Sequence, residues 1–273
     1  MFRGFYTAAS GMISQQRRQD LLTNNLANAN TPGYKADRAS LRAFPNMLLS
    51  RMGETNVGTQ GIPMNDRVGP IATGVYMQEA LPNYRQGDLR ETGNNLDIAL
   101  LQGTVPINED TGTAGALFFT VENEAGELRL TRNGNFTVDA NSNLVTSTGD
   151  YVLDTAGNRI MVEGTNFKLG ENGVINETEA QIGISLIENP NDLEKEGNGL
   201  FSLENEADII AVNGNTDVTY QLKQGFVERS NVDVEQTMVQ MMSAYRTFEA
   251  NQKVIQAYDR TMEKASNEIG RLG

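Results

Sequence analysis

Residues 230–269 read SNVDVEQTMVQMMSAYRTFEANQKVIQAYDRTMEKASNEI, and this stretch decides the fold. Val234, Met238, Met241, Tyr245, Phe248, Ile255, Tyr258, Met262, Ala265 and Ile269 recur at steps of three and four, with Asn251 or Gln252 interrupting the stripe at one layer. That spacing stacks side chains on one face of an α-helix. No Pro follows residue 228, and Gly is absent from the stripe until Gly270. Ser230-Asn231-Val232-Asp233 fits a capping box, in which the serine and aspartate satisfy the free amides of a helix start. About 37 to 40 residues are expected to be helical, a rod on the order of 55 to 60 Å long.

The other end of the chain carries a second stripe: Phe2, Phe5, Tyr6, Ala9, Met12, Ile13, Leu22 and Leu26, with Gln15 to Gln19 as a polar middle. This helix is expected to stop in the run from Asn24 to Gly33, where asparagines compete for backbone hydrogen bonds and Pro32 disfavours helical geometry at Thr31. A long one-sided helix cannot bury its stripe alone, so the two ends must pack on each other, on other subunits, or both. The residues expected to do so are Phe5, Met12, Leu22, Leu26, Met238, Met241, Tyr245, Phe248, Ile255, Tyr258, Met262 and Ile269.

Between the ends, residues 34–86 read as an extended connecting region. Leu41, Phe44, Met47 and Leu48 have the spacing of a short helix, and the Gly/Pro/Asn-rich segment from Gly53 to Gly74 reads as a long connection or irregular strands. From 87 to 227 short apolar runs alternate with turn signals such as Asn133-Gly134, Ala156-Gly157-Asn158 and Asn213-Gly214. Strands are expected at Leu117 to Val121, Leu128 to Thr131, Asn135 to Val138, Tyr151 to Leu153, Ile160 to Val162, Ile182 to Ile187 and Val218 to Leu222. The fold class is therefore α+β. Terminal helices (1–33 and 228–273) pair as a coiled-coil-like inner part, and an irregular antiparallel all-β outer domain (87–227) is inserted between them. Such a chain suits a filament subunit, because heterologous faces build open arrays.

Composition narrows the chemistry. Among 273 residues there is no Cys, His or Trp, which removes disulfides, thiolate metal sites, nucleophile-histidine triads and imidazole proton shuttles. No apolar run approaches the roughly 20 residues that span a bilayer, and the start lacks the pattern of a cleaved secretory signal. Residues 53–227 hold 9 Lys/Arg against 26 Asp/Glu, a field that repels nucleic-acid phosphates. The basic residues of 1–52 are scattered and lack interleaved aromatics, so no nucleic-acid partner is expected.

Asp139, Asn141, Asn143 and Asp150 occupy positions one, three, five and twelve of a calcium loop, but Leu144 stands where such loops need glycine, so a hairpin tip is favoured. Glu122, Glu124 and Glu127 offer a carboxylate pair of the glycosidase kind, without an aromatic sugar platform nearby. No glycine run has phosphate-loop spacing. Neither catalysis, cofactor, metal nor small-molecule substrate is expected.

The signature segments resemble a known family, the bacterial flagellar rod and hook axial proteins. Met12 to Lys35, with Asn24, Asn25, Asn28, Pro32, Gly33 and Tyr34, is similar to the N-terminal signature of rod proteins. Gln86 to Leu100 resembles the segment that opens their β domain. Gln224 to Asp233, with Ser230, Asn231 and Asp233, and then Tyr245 to Ile255 around Asn251, resembles their C-terminal signature. The resemblance implies a rod subunit of the flagellar basal body, outside the cytoplasmic membrane within the cell envelope. It implies export unfolded through the flagellar type III apparatus, and assembly with itself and other rod and hook axial proteins to link motor and hook. A secreted assembly factor or a hook-type axial protein is the alternative. Family members run from the Leu-Asp-Ile-Ala segment straight into a Gly-Phe-Phe strand, whereas here Gly103 to Ala116 intervene. The run at 24–33 is expected to be a hinge turning the chain outward, or a plain helix terminator.

Overall fold

The computed structural model describes residues 2–45, 47–52, 65–71, 73–108, 112–164, 167–170, 173–176, 178–203, 205, 209–212 and 218–269. They fall into two units, one made of residues 1–26, 37–81 and 234–273, the other of 27–36 and 82–233. The expected connecting region is thus divided between the two. Among the described residues no helix is long and apolar enough to cross a membrane.

The first unit is built on α1 (Phe2–Ala27) and α2 (Val234–Ile269). The two helices pack together, and glycines mark where. A Cβ on Gly4 would lie 2.7 Å from Cζ of Tyr258, and one on Gly11 would lie 2.9 Å from Nδ2 of Asn251. Seven residues up α1 match seven down α2, so the helices are antiparallel. On α2 the less exposed positions include Thr237, Met241, Ala244, Phe248, Asn251, Ile255, Tyr258 and Met262, which alternate steps of four and three. On α1 they include Gly4, Ala8, Gly11, Gln15 and Leu22. Small residues in the seam let the backbones approach closely, and Asn251 is the polar layer within it.

α2 begins at Val234 rather than at the expected capping box. The amide of Val232 approaches the Ser230 hydroxyl at 3.4 Å, and Asn231 uses its side chain on distant backbone instead. Asp233 is the residue immediately before the helix, where a carboxylate suits the free amides.

The short helix expected around Leu41, Phe44, Met47 and Leu48 is absent. β1 (Leu41–Ala43) and β2 (Met47–Met52) run out, and β3 (Asn65–Ile71) and β4 (Val75–Met77) return, with Leu41 opposite Met77 and Met47 opposite Ile71. Pro45 disfavours helical geometry at Phe44, and the returning strands supply the hydrogen bonds a helix would have made internally. Residues 53–64, the core of the Gly/Pro/Asn-rich segment, lie outside the described residues. Hydroxyls on one face of α1 fasten the hairpin. Thr7 Oγ1 donates to Thr73 O at 2.9 Å, Ser14 Oγ donates to Val75 O at 2.9 Å, and Val75 N donates to Ser10 Oγ at 3.3 Å.

The second unit contains β5 (Leu89–Glu91), β6 (Ile98–Gln102), β7 (Ala116–Glu122), β8 (Leu128–Thr131), β9 (Phe136–Val138), β10 (Leu144–Thr146), β11 (Tyr151–Val152), β12 (Ile184–Ile187), β13 (Leu200–Ser202), β14 (Tyr220–Gln224) and β15 (Phe226–Glu228). These strands pair antiparallel. β7 is the hub, flanked by β8, β11 and β12. Its run Ala-Leu-Phe-Phe-Thr-Val is almost wholly apolar because both faces are covered. Leu117, Phe119 and Val121 enter the larger core with Leu100, Leu144, Ile160 and Phe167, while Ala116 and Phe118 enter a smaller one with Leu130, Leu193 and Phe201.

The first and last strands of the unit pair with each other, β5 with β15 and β6 with β14. The sequence-expected strand at Ile160 to Val162 is reduced to isolated bridges at Arg159 and Met161, although Ile160 and Val162 are core residues. Within the 103–116 insertion, Ile107 bridges Ala114 and Gly115 N donates to Pro106 O at 3.0 Å, the pattern of a small hairpin; Glu109, Asp110 and Thr111 lie outside the described residues.

A buried charged knot between the signature segments

The turn that follows Ala27 is assembled from the residues singled out in sequence. Asn28 accepts the Thr31 amide on its carbonyl at 3.1 Å and the Thr31 hydroxyl on its Oδ1 at 3.2 Å, and the Tyr34 amide donates to Thr31 O at 3.3 Å. Gly33 has φ +70, and a Cβ there would meet the carbonyl carbon and oxygen of Arg132 at 2.5 Å. Conformation and close approach both require glycine. Its amide donates to Glu228 O at 2.9 Å, so the N-terminal signature is laid directly on the C-terminal one. In the first unit, Asn25 grips the backbone of Asp37 both ways, donating to its carbonyl and accepting from its amide at 2.9 Å.

Next to Gly33 the chain buries three charges. Lys35 Nζ lies 2.7 Å from Glu228 Oε1 and Arg132 Nε lies 2.6 Å from Glu228 Oε2, with all three side chains 2% exposed. Remaining hydrogen-bonding capacity is met by backbone. Lys35 donates to Arg85 O, Arg132 donates to Leu117 O and Leu100 O, and the Gly87 amide donates to Glu228 Oε1. Burial is the largest influence on Lys35 and lowers its pKa to about 8, helped by the Arg132 charge and opposed by Glu228. For Glu228 burial pushes upward, but Arg132 and Lys35, by charge and hydrogen bond, outweigh it and hold the carboxyl below its ordinary value. Two cations share one anion, so Lys35 can shed its proton while the Arg132–Glu228 pair stays neutral.

Asn231 ties the same segments from the other side. Its Oδ1 accepts the Ala36 amide at 2.7 Å, and its Nδ2 donates to Asn83 O at 2.7 Å and Arg85 O at 3.0 Å. Lys195 covers the buried Tyr34 ring at 4.0 Å. What this arrangement can do is mechanical: it locks residues 31–36, 83–87, 132 and 228–231 into one joint.

The expected assembly residues divide. Leu22 is buried, and Phe5, Met12, Leu26, Met241, Phe248, Ile255, Tyr258 and Met262 are half-buried. Met238 and Tyr245 stand exposed, outside the seam. The side chain of Ile269 lies outside the described residues. Sequence reasoning missed Arg132, Glu228 and Gly87; an acid closing the apolar strand Phe226-Val227-Glu228 was the available signal.

Four of the acids weighed for chemistry have partners within the chain. Asp139 caps its own hairpin turn through the Ala140 amide, while Asp150 accepts the hydroxyls of Thr146 and Thr148. Glu122 pairs with Arg159 at 2.7 Å and Glu127 with Arg129 at 2.7 Å.

Comparison with known proteins follows the same segments. Residues 5–35 match the family model described as flagella basal body rod protein. Residues 113–178 match that of the flagellar hook protein FlgE/F/G D1 domain, and residues 223–268 that of the flagellar basal body rod FlgEFG protein C-terminal region. The chain is 45% identical to the flagellar hook-basal body complex protein FlhO of Bacillus subtilis, covering all of both chains. It is 30% identical to the flagellar basal-body rod protein FlgG of the same organism, over 98% of this chain and 99% of the relative. Identity is also 30% to FlgG of Borreliella burgdorferi, over 98% of each. With rod models on both terminal segments and relatives matched end to end, the chain belongs to the flagellar basal-body rod and hook family, and its place is the bacterial flagellar basal body.

Proposed function

We propose that the chain is a structural subunit of the flagellar basal-body rod, exported through the flagellar type III apparatus and polymerised through its terminal helices to link motor and hook. One observation carries the polymerisation: the antiparallel pair still leaves Tyr6 and Ile13 on α1, and Met238, Val239, Met242 and Tyr245 on α2, exposed. Apolar rows of this length call for partners, which here are further copies and other axial proteins. The alternating four-three seam is the spacing of a coiled coil, which suits a stiff axial element that transmits torque.

Export of an unfolded chain is supported by the knot. Glu228 stands 193 residues from Lys35, and β15 and β14 pair with the first strands of their unit. The β unit therefore cannot close until nearly all of the chain is available, and the absence of cysteine leaves nothing to pair in transit. Neither a catalytic reaction, a nucleic acid nor a small-molecule substrate is part of this role.

Deleting residues 234–273, which leaves the knot intact, is expected to abolish motility and incorporation into basal bodies while the β unit remains folded. Normal motility of that deletion would refute the role of the helices.

A further inference from the structure

Each terminal helix keeps a second face open beside the seam. On α2, Glu235, Met238, Met242, Tyr245 and Glu249 recur at steps of three and four, all exposed except the half-buried Glu249. On α1, Arg3, Tyr6, Ile13 and Arg17 are exposed, on a different face from the Gly4, Ala8, Gly11 and Gln15 positions that meet α2. Among the described residues none of Arg3, Arg17, Glu235 and Glu249 forms an ion pair. Beside the α2 row runs a groove lined by Gln19, Thr23, Met241, Met242, Tyr245 and Arg246. Among the described residues the buried Gln19 Nε2 has no hydrogen-bond partner, and a donor left so can be satisfied by a neighbouring chain.

Laid antiparallel, the two open faces fit to within one residue of a single register, the charged pairs lying one residue, about 1.5 Å, out of step with the apolar ones. The seven residues from Tyr6 to Ile13 match the seven from Tyr245 back to Met238, and the fourteen from Arg3 to Arg17 match the fourteen from Glu249 back to Glu235. We propose that α1 of one copy lies antiparallel along this face of α2 in a neighbouring copy. Arg17 then stands beside Glu235, Ile13 on Met238, Tyr6 on Tyr245 and Arg3 beside Glu249.

The contact cannot form within one chain. The Gly4–Tyr258 and Gly11–Asn251 approaches set Ile13 level with residue 249, eleven residues or about 16 Å from Met238. The faces differ, so the contact is heterologous and propagates into an open array, with each α1 held between its own α2 and that of a neighbour. Opposite charges at the two ends of the apolar row fix the register more than the affinity.

The proposal rests on the rod-subunit reading, and the test separates the two. Ile13→Cys and Met238→Cys are introduced together into this cysteine-free chain, and washed basal bodies are oxidised and run without reductant. A ladder of linked subunits is expected from the pair, and monomer from each single substitution and from the shifted pair Ile13→Cys with Val254→Cys. Basal bodies that contain the chain yet give no ladder, or a ladder from the shifted pair, overturn the register and leave the rod reading standing. A chain absent from basal bodies even without the cysteines overturns both. Independently, Arg17→Glu and Glu235→Arg should each lower incorporation at least tenfold and together restore it. Failure of the double exchange to restore incorporation overturns the pairing.

Discussion

The Nζ of Lys35 lies 2.7 Å from the carboxylate of Glu228, both side chains buried, although 193 residues separate them in the chain. A cation from the N-terminal signature and an anion from the C-terminal one thus meet at a single joint, and Arg132 completes it. The consequences for stability can be measured.

Replacing Glu228 by Gln leaves two buried cations without their anion, and the β unit is expected to lose about 3–5 kcal/mol. Glu122→Gln breaks only the exposed pair with Arg159 and should cost no more than about 1 kcal/mol. Urea unfolding followed by tyrosine fluorescence compares the two.

The joint also gives the protein a pH signature. Glu228 has a lowered folded pKa, so its stabilisation is present above the unfolded carboxyl value near 4.5 and is lost as pH falls through the folded one. Lys35 behaves oppositely to a lysine that gains from its partner. Its folded pKa is about 8 against 10.5 unfolded, so between those values the unfolded chain binds the extra proton and stability rises with pH. A shift of this size corresponds to about 3 kcal/mol. The difference in unfolding free energy between wild type and Lys35→Met, followed from pH 7 to 10.5, should change by that order. A flat difference would show that Lys35 is not desolvated.

Gly33 and Gly93 have nearly the same backbone conformation, φ +70 and +69, but different surroundings. Nothing lies within 4 Å of a Cβ built on Gly93, whereas one on Gly33 strikes the Arg132 backbone. Gly93→Ala should cost about 1–2 kcal/mol for conformation alone. Gly33→Ala should cost distinctly more, read as a larger drop in melting temperature, and with Pro32→Ala should impair motility if the turn has the hinge role.

Ser10→Ala and Ser14→Ala remove hydroxyls that hold the returning strand of the hairpin on α1. Each is expected to weaken that attachment by about 1 kcal/mol. Hydrogen exchange should quicken at residues 73–77 and stay unchanged in β7.

The helices and the hub strand were legible because their signals are local. The stripe at 234–269 reads as a helix from its spacing alone, and the apolar run at 117–121 reads as a strand. Which apolar residues fill the seam was not legible. Thr237, Ala244 and Asn251 occupy it because small and polar side chains permit close approach, while the larger Met238 and Tyr245 sit one face over; periodicity of apolar residues merges the two faces. Irregular strands within 53–74 were legible, but the pairing of 65–71 with 47–52 and of 75–77 with 41–43 was hidden, because strands separated by a long Gly/Pro/Asn-rich segment carry no local pairing signal. The knot was hidden for a deeper reason: charged residues are expected at the surface, and nothing local says that Lys35, Arg132 and Glu228 will neutralise one another in the interior.

The structural role turns on where the protein resides. Intact hook-basal bodies extracted with detergent from flagellated cells, washed, and immunoblotted with an antibody to residues 95–227 give the most direct answer. A rod subunit is expected in the washed particle in stoichiometric amount. Its absence from the particle, with the protein free in the medium, would contradict a structural rod subunit and favour a factor that acts during assembly and leaves.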